Sequence, residues 1–267
     1  TSESFTVGLT FEQPWIDDFD FRARVTYYDI LIEGAIAEPS SQFIVNDCYT
    51  IQPSFPSAFC DRITRDPNDQ SLTLNSETAK GVDVNLNYNQ DVTLFGRNVG
   101  LFGDLDANYK VERDVSQIDA NGNETVTDLI GRFGYAEWTG NLSVGAEYDD
   151  FRVTWSTRYI GDVQQPDSDE FSNVFEGGSV TCLGPDAGDV NCRDVDFAEE
   201  WFSHDLAIGY SGDTFDMTVG VRNVFDEEPP MIDPTEYTTN GGNAPLGAGY
   251  TPGFFGRTAF IRIGKRF

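Results

Sequence analysis

Phe151-Arg152-Val153-Thr154-Trp155-Ser156-Thr157-Arg158-Tyr159-Ile160 reads as one strand with two unlike faces. Successive side chains of a strand point to opposite sides. Phe151, Val153, Trp155 and Tyr159 therefore share an apolar face, and Arg152, Thr154, Ser156 and Arg158 share a polar one. Gly81–Tyr88 repeats the pattern, with Val82, Val84, Leu86 and Tyr88 against Asp83, Asn85 and Asn87. Such segments are also long. Roughly 9–11 tilted residues cross a bilayer, whereas strands of ordinary sheets are mostly nearer five or six. Their apolar faces begin or end in a ring, the residue type that suits the boundary of hydrocarbon and headgroup. The pattern predicts an all-β fold, a transmembrane antiparallel β-barrel.

The 267 residues are 39% apolar with no long apolar run, which excludes a transmembrane helix. A transmembrane barrel has this composition because half of each strand faces water. The net charge of −28 argues against a nucleic-acid partner, since phosphate binding needs the opposite sign. No secretory signal stands at Thr1, so the chain is expected to be processed or a piece of something longer.

Nine strands follow along the chain: Ser4–Glu12, Phe19–Ile30, Leu72–Gln90, Val99–Val111, Tyr135–Tyr148, Phe151–Ile160, Glu200–Tyr210, Thr214–Phe225 and Phe254–Phe267. Short turns (13–18, 95–98, 149–150, 211–213) alternate with long loops (37–71, 112–128, 161–199, 226–252). Transmembrane barrels have short periplasmic turns and long external loops, a rhythm that a sandwich has no reason to keep. Counting back from Phe267 on the short-turn side places Thr1 outside the cell. Bacterial barrels normally have even strand numbers, and open edges in lipid are costly. Residues 1–267 are thus expected to be the C-terminal part of a larger barrel, begun within an external loop.

Two segments carry a family resemblance. Phe215-Asp216-Met217-Thr218-Val219-Gly220-Val221-Arg222-Asn223-Val224-Phe225-Asp226-Glu227-Glu228-Pro229 resembles the penultimate strand of TonB-dependent outer-membrane receptors and its Asn-Leu/Val-Phe-Asp exit. Phe255-Gly256-Arg257-Thr258-Ala259-Phe260-Ile261-Arg262-Ile263-Gly264-Lys265-Arg266-Phe267 is similar to their Gly-Arg-led closing strand. The resemblance implies a 22-stranded barrel of which this chain forms the last nine strands. It implies a plug and first strands elsewhere in the same receptor, a TonB-type energy-coupling partner, a small nutrient ligand, and no catalysis or cofactor. It also makes Phe260, Ile261, Ile263 and Phe267 an assembly signal, gripped by strand addition. The plainer reading makes Phe267 one more interfacial ring. Lys265 departs from the family by sitting on the apolar parity, where it can reach the interface.

Cys48 and Cys60 share one long loop, and Cys182 and Cys192 another. In an oxidising exterior they read as disulfides Cys48–Cys60 and Cys182–Cys192, each contributing on the order of 3 kcal/mol. Neither loop has a His or a Cys-x-x-Cys, so no metal site is expected. Gly161–Glu200 is strongly acidic, either a mouth that attracts cationic ligands or binds Ca²⁺ through carboxylates, or a solvated loop that repels lipopolysaccharide unless divalent cations bridge them. Phe171, Phe175, Tyr237 and Tyr250 are candidate ligand contacts in the loops, and they serve equally as loop packing. The single histidine, His204, shares the apolar parity of Phe202, Leu206, Ile208 and Tyr210; Ser203 points the other way, so the two form no catalytic dyad. Asp20, Arg22, Arg24, Asp83, Asn85, Asn87, Asp104, Asp106, Asn108, Arg152, Arg158, Asp205, Asp216 and Arg222 give the opposite face mixed charge, fit for a plug or a porin channel. The expectation is nutrient uptake across the bacterial outer membrane. A plug-free porin or adhesive barrel, and a carbohydrate-binding β-protein, are the alternatives.

Overall fold

The computed structural model describes residues 1–15, 19–34, 36–37, 72–73, 76–118, 124–164, 197–232, 244–245, 247 and 249–265. Its strands are β1 (Ser2–Glu12), β2 (Phe19–Glu33), β3 (Ile36–Ala37), β4 (Leu72–Thr73), β5 (Ser76–Leu94), β6 (Arg97–Ile118), β7 (Glu124–Asp128) and β8 (Trp138–Tyr148). They continue with β9 (Phe151–Ile160), β10 (Val163–Gln164), β11 (Phe197–Ala198), β12 (Trp201–Ser211), β13 (Phe215–Arg222), β14 (Met231–Ile232), β15 (Ala244–Pro245) and β16 (Thr258–Lys265). A five-residue helix, α1 (Thr251–Phe255), precedes β16. The principal sheet runs β1-β2-β5-β6-β8-β9-β12-β13-β16, with β7 paired to β6. Each neighbour on that path is the next long strand in sequence, the up-and-down order that short turns dictate.

All nine long segments read from the sequence are strands, with shifted ends. The turn expected at Gly96-Arg97-Asn98 is Phe95-Gly96, at φ of +54° and +76°. Positive φ at both central residues is what a tight hairpin turn requires. Residues 112–118, expected in a loop, prolong β6 and pair with β7 in the register Asp114↔Asp128 to Ile118↔Glu124. The closing strand starts at Thr258, because α1 and Gly256 occupy the segment before it.

The chain divides into two units. The first comprises Thr1–Val7, Tyr27–Gly81 and Lys110–Ile130 and is held by polar staples. The Thr1 ammonium donates to the Glu33 carbonyl at 2.8 Å, Lys80 pairs with Glu112 at 2.9 Å, and Arg113 pairs with Glu77.

The second unit comprises Gly8–Thr26, Val82–Tyr109 and Gly131–Phe267. Its registers place the predicted parities on opposite faces: Val144 opposes Trp155, Trp155 opposes Leu206, and Leu206 opposes Val221. That face is exposed along Leu142, Val144, Val153, Ile208, Ile261 and Ile263. Rings bound it at both ends. Near the turns, Phe151 meets Tyr210 and Tyr210 meets Phe215, each at 5.2 Å. Near the loops, Tyr109 meets Trp138 at 4.6 Å and Tyr159 meets Phe202 at 5.0 Å. From Trp138 to Tyr148 a strand rises about 33 Å, or about 25 Å across a membrane at the usual tilt of roughly 40°. This is the height of a barrel's apolar band.

Candidate functional site

The polar face of the second unit is a continuous hydrogen-bonding surface. Asn87 donates to Asp104 at 2.7 Å and Asn108 to Asp83 at 2.8 Å, while Ser143 and Ser156 lie 3.0 Å apart. Arg152 pairs with Glu147, and its guanidinium lies 3.8 Å above the Phe102 ring. Phe102 covers Gly145, where an added Cβ would stand 2.3 Å from the ring. Phe260 covers Gly220 in the same way, with the Arg222 guanidinium 5.2 Å from its centroid. Rings laid over strand glycines protect the backbone there, and the arginines above them gain cation–π attraction. A cleft of about 280 Å³ lies beside Phe102, lined by Asp20, Asp91, Asp104, Glu147 and Arg152 among others.

At the loop end, a buried nest is built from Phe133, Ala136, Ile160, Val163, Ala198, Trp201 and Tyr250. Tyr250 is 1% exposed and meets the Trp201 ring edge-on at 5.3 Å. Its hydroxyl has no hydrogen-bond partner among the described residues. Burial pushes its pKa up to about 12, so the phenol stays neutral. The strap that carries it is tied down by Arg158, which donates to the Gly249 carbonyl at 3.2 Å. Trp201 Nε1 donates to the Glu228 carbonyl at 3.0 Å.

The Asn-Val-Phe-Asp stretch acts as a clasp. Asn223 is fully buried at a φ of +50°, a conformation asparagine tolerates better than most residues. Its Nδ2 donates to the Glu227 carbonyl and its Oδ1 accepts from the Glu227 amide, both at 2.8 Å. Its own amide donates to Asp205 at 2.9 Å. Asp226 then accepts the Arg257 amide at 2.6 Å. Gly256, at φ +60°, leaves room for that carboxylate, since a Cβ there would stand 2.9 Å from it. The exit of β13 is thereby fastened to the approach of β16. Sequence reading quoted these residues for a resemblance without seeing the clasp, whose signal is an Asn and an Asp three apart with a Gly-Arg downstream.

Of the candidate site residues, Phe260 lies on the polar face, while Ile261 and Ile263 are exposed on the apolar one. Tyr250 lies in the nest, not on an open surface. Phe171, Phe175, Tyr237 and Phe267 lie outside the described residues, as do Cys48, Cys60, Cys182 and Cys192 with the two disulfides expected of them. His204 is half-buried among rings on the apolar face, and Ser203 is buried on the other side. Among the described residues no cluster of His, Cys, Asp or Glu is arranged to hold a metal.

The family profile described as TonB dependent receptor-like, beta-barrel, matches residues 1–224. The chain belongs to that family, one of outer-membrane receptors and transporters and not of enzymes. No curated protein matches the sequence. Among solved structures, the FrpB iron transporter of Neisseria meningitidis is similar over the whole of this chain and 31% of its own, with a TM-score of 0.50 and 11% identity. The ferric enterobactin receptor PfeA of Pseudomonas aeruginosa is similar over the whole chain and 32% of its own, at a TM-score of 0.48 and 16% identity. The ferric-catecholate import receptor Fiu of E. coli K12 gives 0.33 and 14%, over the whole chain and 42% of its own. This chain thus spans about a third of the length of the first two. The shared fold is that of part of a TonB-dependent receptor barrel.

Proposed function

We propose that this chain forms barrel wall of a receptor that takes up a scarce nutrient across the bacterial outer membrane, driven by a TonB-type coupling protein. Membership of the receptor family carries the reading. The polar face supports it: its mixed-sign, mutually bonded Asp, Asn and Arg side chains offer many fixed contacts for a globular plug. The long loops face the cell exterior in this reading and capture the ligand, with no bond made or broken. Ferric siderophores are the first ligand class to test, because the FrpB structure of the same fold is named an iron transporter. Oligosaccharides and other nutrients are the next.

Transport of radiolabelled ferric siderophore into cells that carry the whole protein tests the proposal. Uptake should be saturable and should stop when the coupling protein is deleted or the proton gradient is collapsed. Uptake that continues without coupling would instead describe a passive porin.

A further inference from the structure

We propose that the apolar face of the second unit holds one glycerophospholipid of the phosphoethanolamine type, with its head group at Arg97 and an acyl tail in a groove over Gly103. The site rests on the reading of this chain as barrel wall with its short turns on the periplasmic side, where the leaflet is phospholipid and not lipopolysaccharide. A gap in the apolar face carries the inference. Leu101, Gly103 and Leu105 of β6 oppose Ala146, Val144 and Leu142 of β8. Gly103 contributes no side chain to that row, and a groove of about 600 Å³ lies there, lined by Leu86, Tyr88, Leu101, Leu105, Leu142 and Val144 among others. Leu142 and Val144 are each 39% exposed, so the groove opens away from the sheet. A Cβ added at Gly103 would stand 3.7 Å from Val144 Cγ1 and 3.8 Å from Tyr88 Cβ, ordinary contact distances. Neither packing nor a positive φ demands glycine at this position.

Charge and depth choose the occupant. Arg97 shares the parity of Gly103 and precedes it by six residues on β6. Its guanidinium stands 5.2 Å from the centre of the Tyr148 ring and donates to the Tyr148 hydroxyl. Tyr148 opposes Phe151 in the ring belt near the turns, so Arg97 lies where hydrocarbon gives way to head groups. Six strand residues at the usual tilt descend about 15 Å, roughly the hydrocarbon depth of one leaflet. A tail whose head group is held at Arg97 therefore reaches Gly103. Among the described residues Arg97 makes no ion pair, and its remaining N–H groups suit a phosphate. The turn that follows Tyr148 adds Asp149 and Asp150, both exposed. One guanidinium beside two carboxylates disfavours a head group that is only anionic. A phosphate followed by a primary ammonium answers both signs, whereas a choline offers the carboxylates no N–H.

Native mass spectrometry of the protein, purified with its full polypeptide in detergent and given dioleoyl lipids with ethanolamine, choline or glycerol head groups, tests the site. Wild type should retain the ethanolamine lipid about fivefold more than either of the others, the effect of about one hydrogen bond. Arg97→Gln should lower retention of all three, and Asp149→Asn with Asp150→Asn should remove the preference for ethanolamine over choline. Gly103→Leu fills the groove and should also lower retention of all three. Ala259→Leu adds similar bulk to the apolar face of β16, four strands away from β8 in the sheet, and should leave retention unchanged. Equal retention of the three lipids by wild type, a preference for the glycerol head group, or undiminished retention in Gly103→Leu would overturn the proposal. A protein that stays in solution without detergent and retains no lipid would overturn the membrane reading itself.

Discussion

At the scale of single residues, Asn223 does the most. Its amide side chain closes two hydrogen bonds on Glu227, its backbone engages Asp205, and its φ of +50° excludes most other side chains. Asn223→Ala strands buried backbone groups and strains the left-handed turn. It should cost about 2–4 kcal/mol, read as a shift in urea unfolding of the protein in detergent. Asn223→Gly keeps the turn and should cost less; equal losses would mean that the hydrogen bonds alone matter. Tyr250 makes the opposite prediction. A buried hydroxyl without a partner costs on the order of 1–3 kcal/mol, and Tyr250 has none among the described residues, so Tyr250→Phe should stabilise the nest. Slower amide exchange at Trp201 and Ile160 would show it; faster exchange would mean that the hydroxyl has a partner in solution.

At the scale of elements, each strand presents one face to each environment. Val153→Arg places a charge on the apolar face of β9 and should cost roughly 2–4 kcal/mol, while Thr154→Arg, one residue along, should be mild in the same unfolding assay. Equal costs would remove the distinction between the faces. The hairpin of β6 and β7 carries a built-in repulsion, because Asp114 directly opposes Asp128. Burial, with Asp128 and Glu112 nearby and Lys80 opposing, holds the Asp114 carboxyl above its ordinary value. A carboxyl raised on folding keeps its proton better in the folded state. Its favourable contribution is complete below the unfolded value near pH 4 and is lost as the pH rises through the folded value. Asp114→Asn should therefore protect the Val115 and Val126 amides at neutral pH, by about 0.2–1 kcal/mol, and flatten the pH dependence of their exchange. Unchanged exchange would mean that solvent screens the pair.

The strands were legible in the sequence because two-residue alternation is a local property, visible in Val153 and Thr154 without knowledge of their neighbours. The hairpin extension was not, because the run Glu112-Arg113-Asp114 looks like a solvated loop until β7 supplies its partner. The turn at Phe95-Gly96 was displaced because phenylalanine carries no signal for positive φ. Tyr250 remained ambiguous in sequence because its burial depends on Trp201, far along the chain, and on the strap held by Arg158. The clasp was not legible, since two of its bonds join residues 18 and 31 positions apart.

At the scale of the whole molecule, the order of the principal sheet begins with β1 and ends with β16. Every residue of β1 is exposed, and the apolar residues Phe5, Val7, Leu9 and Phe11 lie open along it. In lipid, unpaired backbone groups cost several kcal/mol each, so both strands are expected to be continued by further strands of the receptor. A structure of the full polypeptide in lipid should show β1 and β16 each hydrogen-bonded to strands outside residues 1–267; β1 bonded directly to β16 would contradict this. The central claim is that the two faces of these strands meet different surroundings. Spin labels placed singly from Phe151 to Ile160, in the receptor reconstituted into liposomes, test it most directly. Collision with dissolved oxygen should peak at 151, 153, 155, 157 and 159, and collision with a water-soluble nickel complex should not share those peaks. Oxygen and nickel profiles rising and falling together, or an oxygen profile without a two-residue period, would contradict the account.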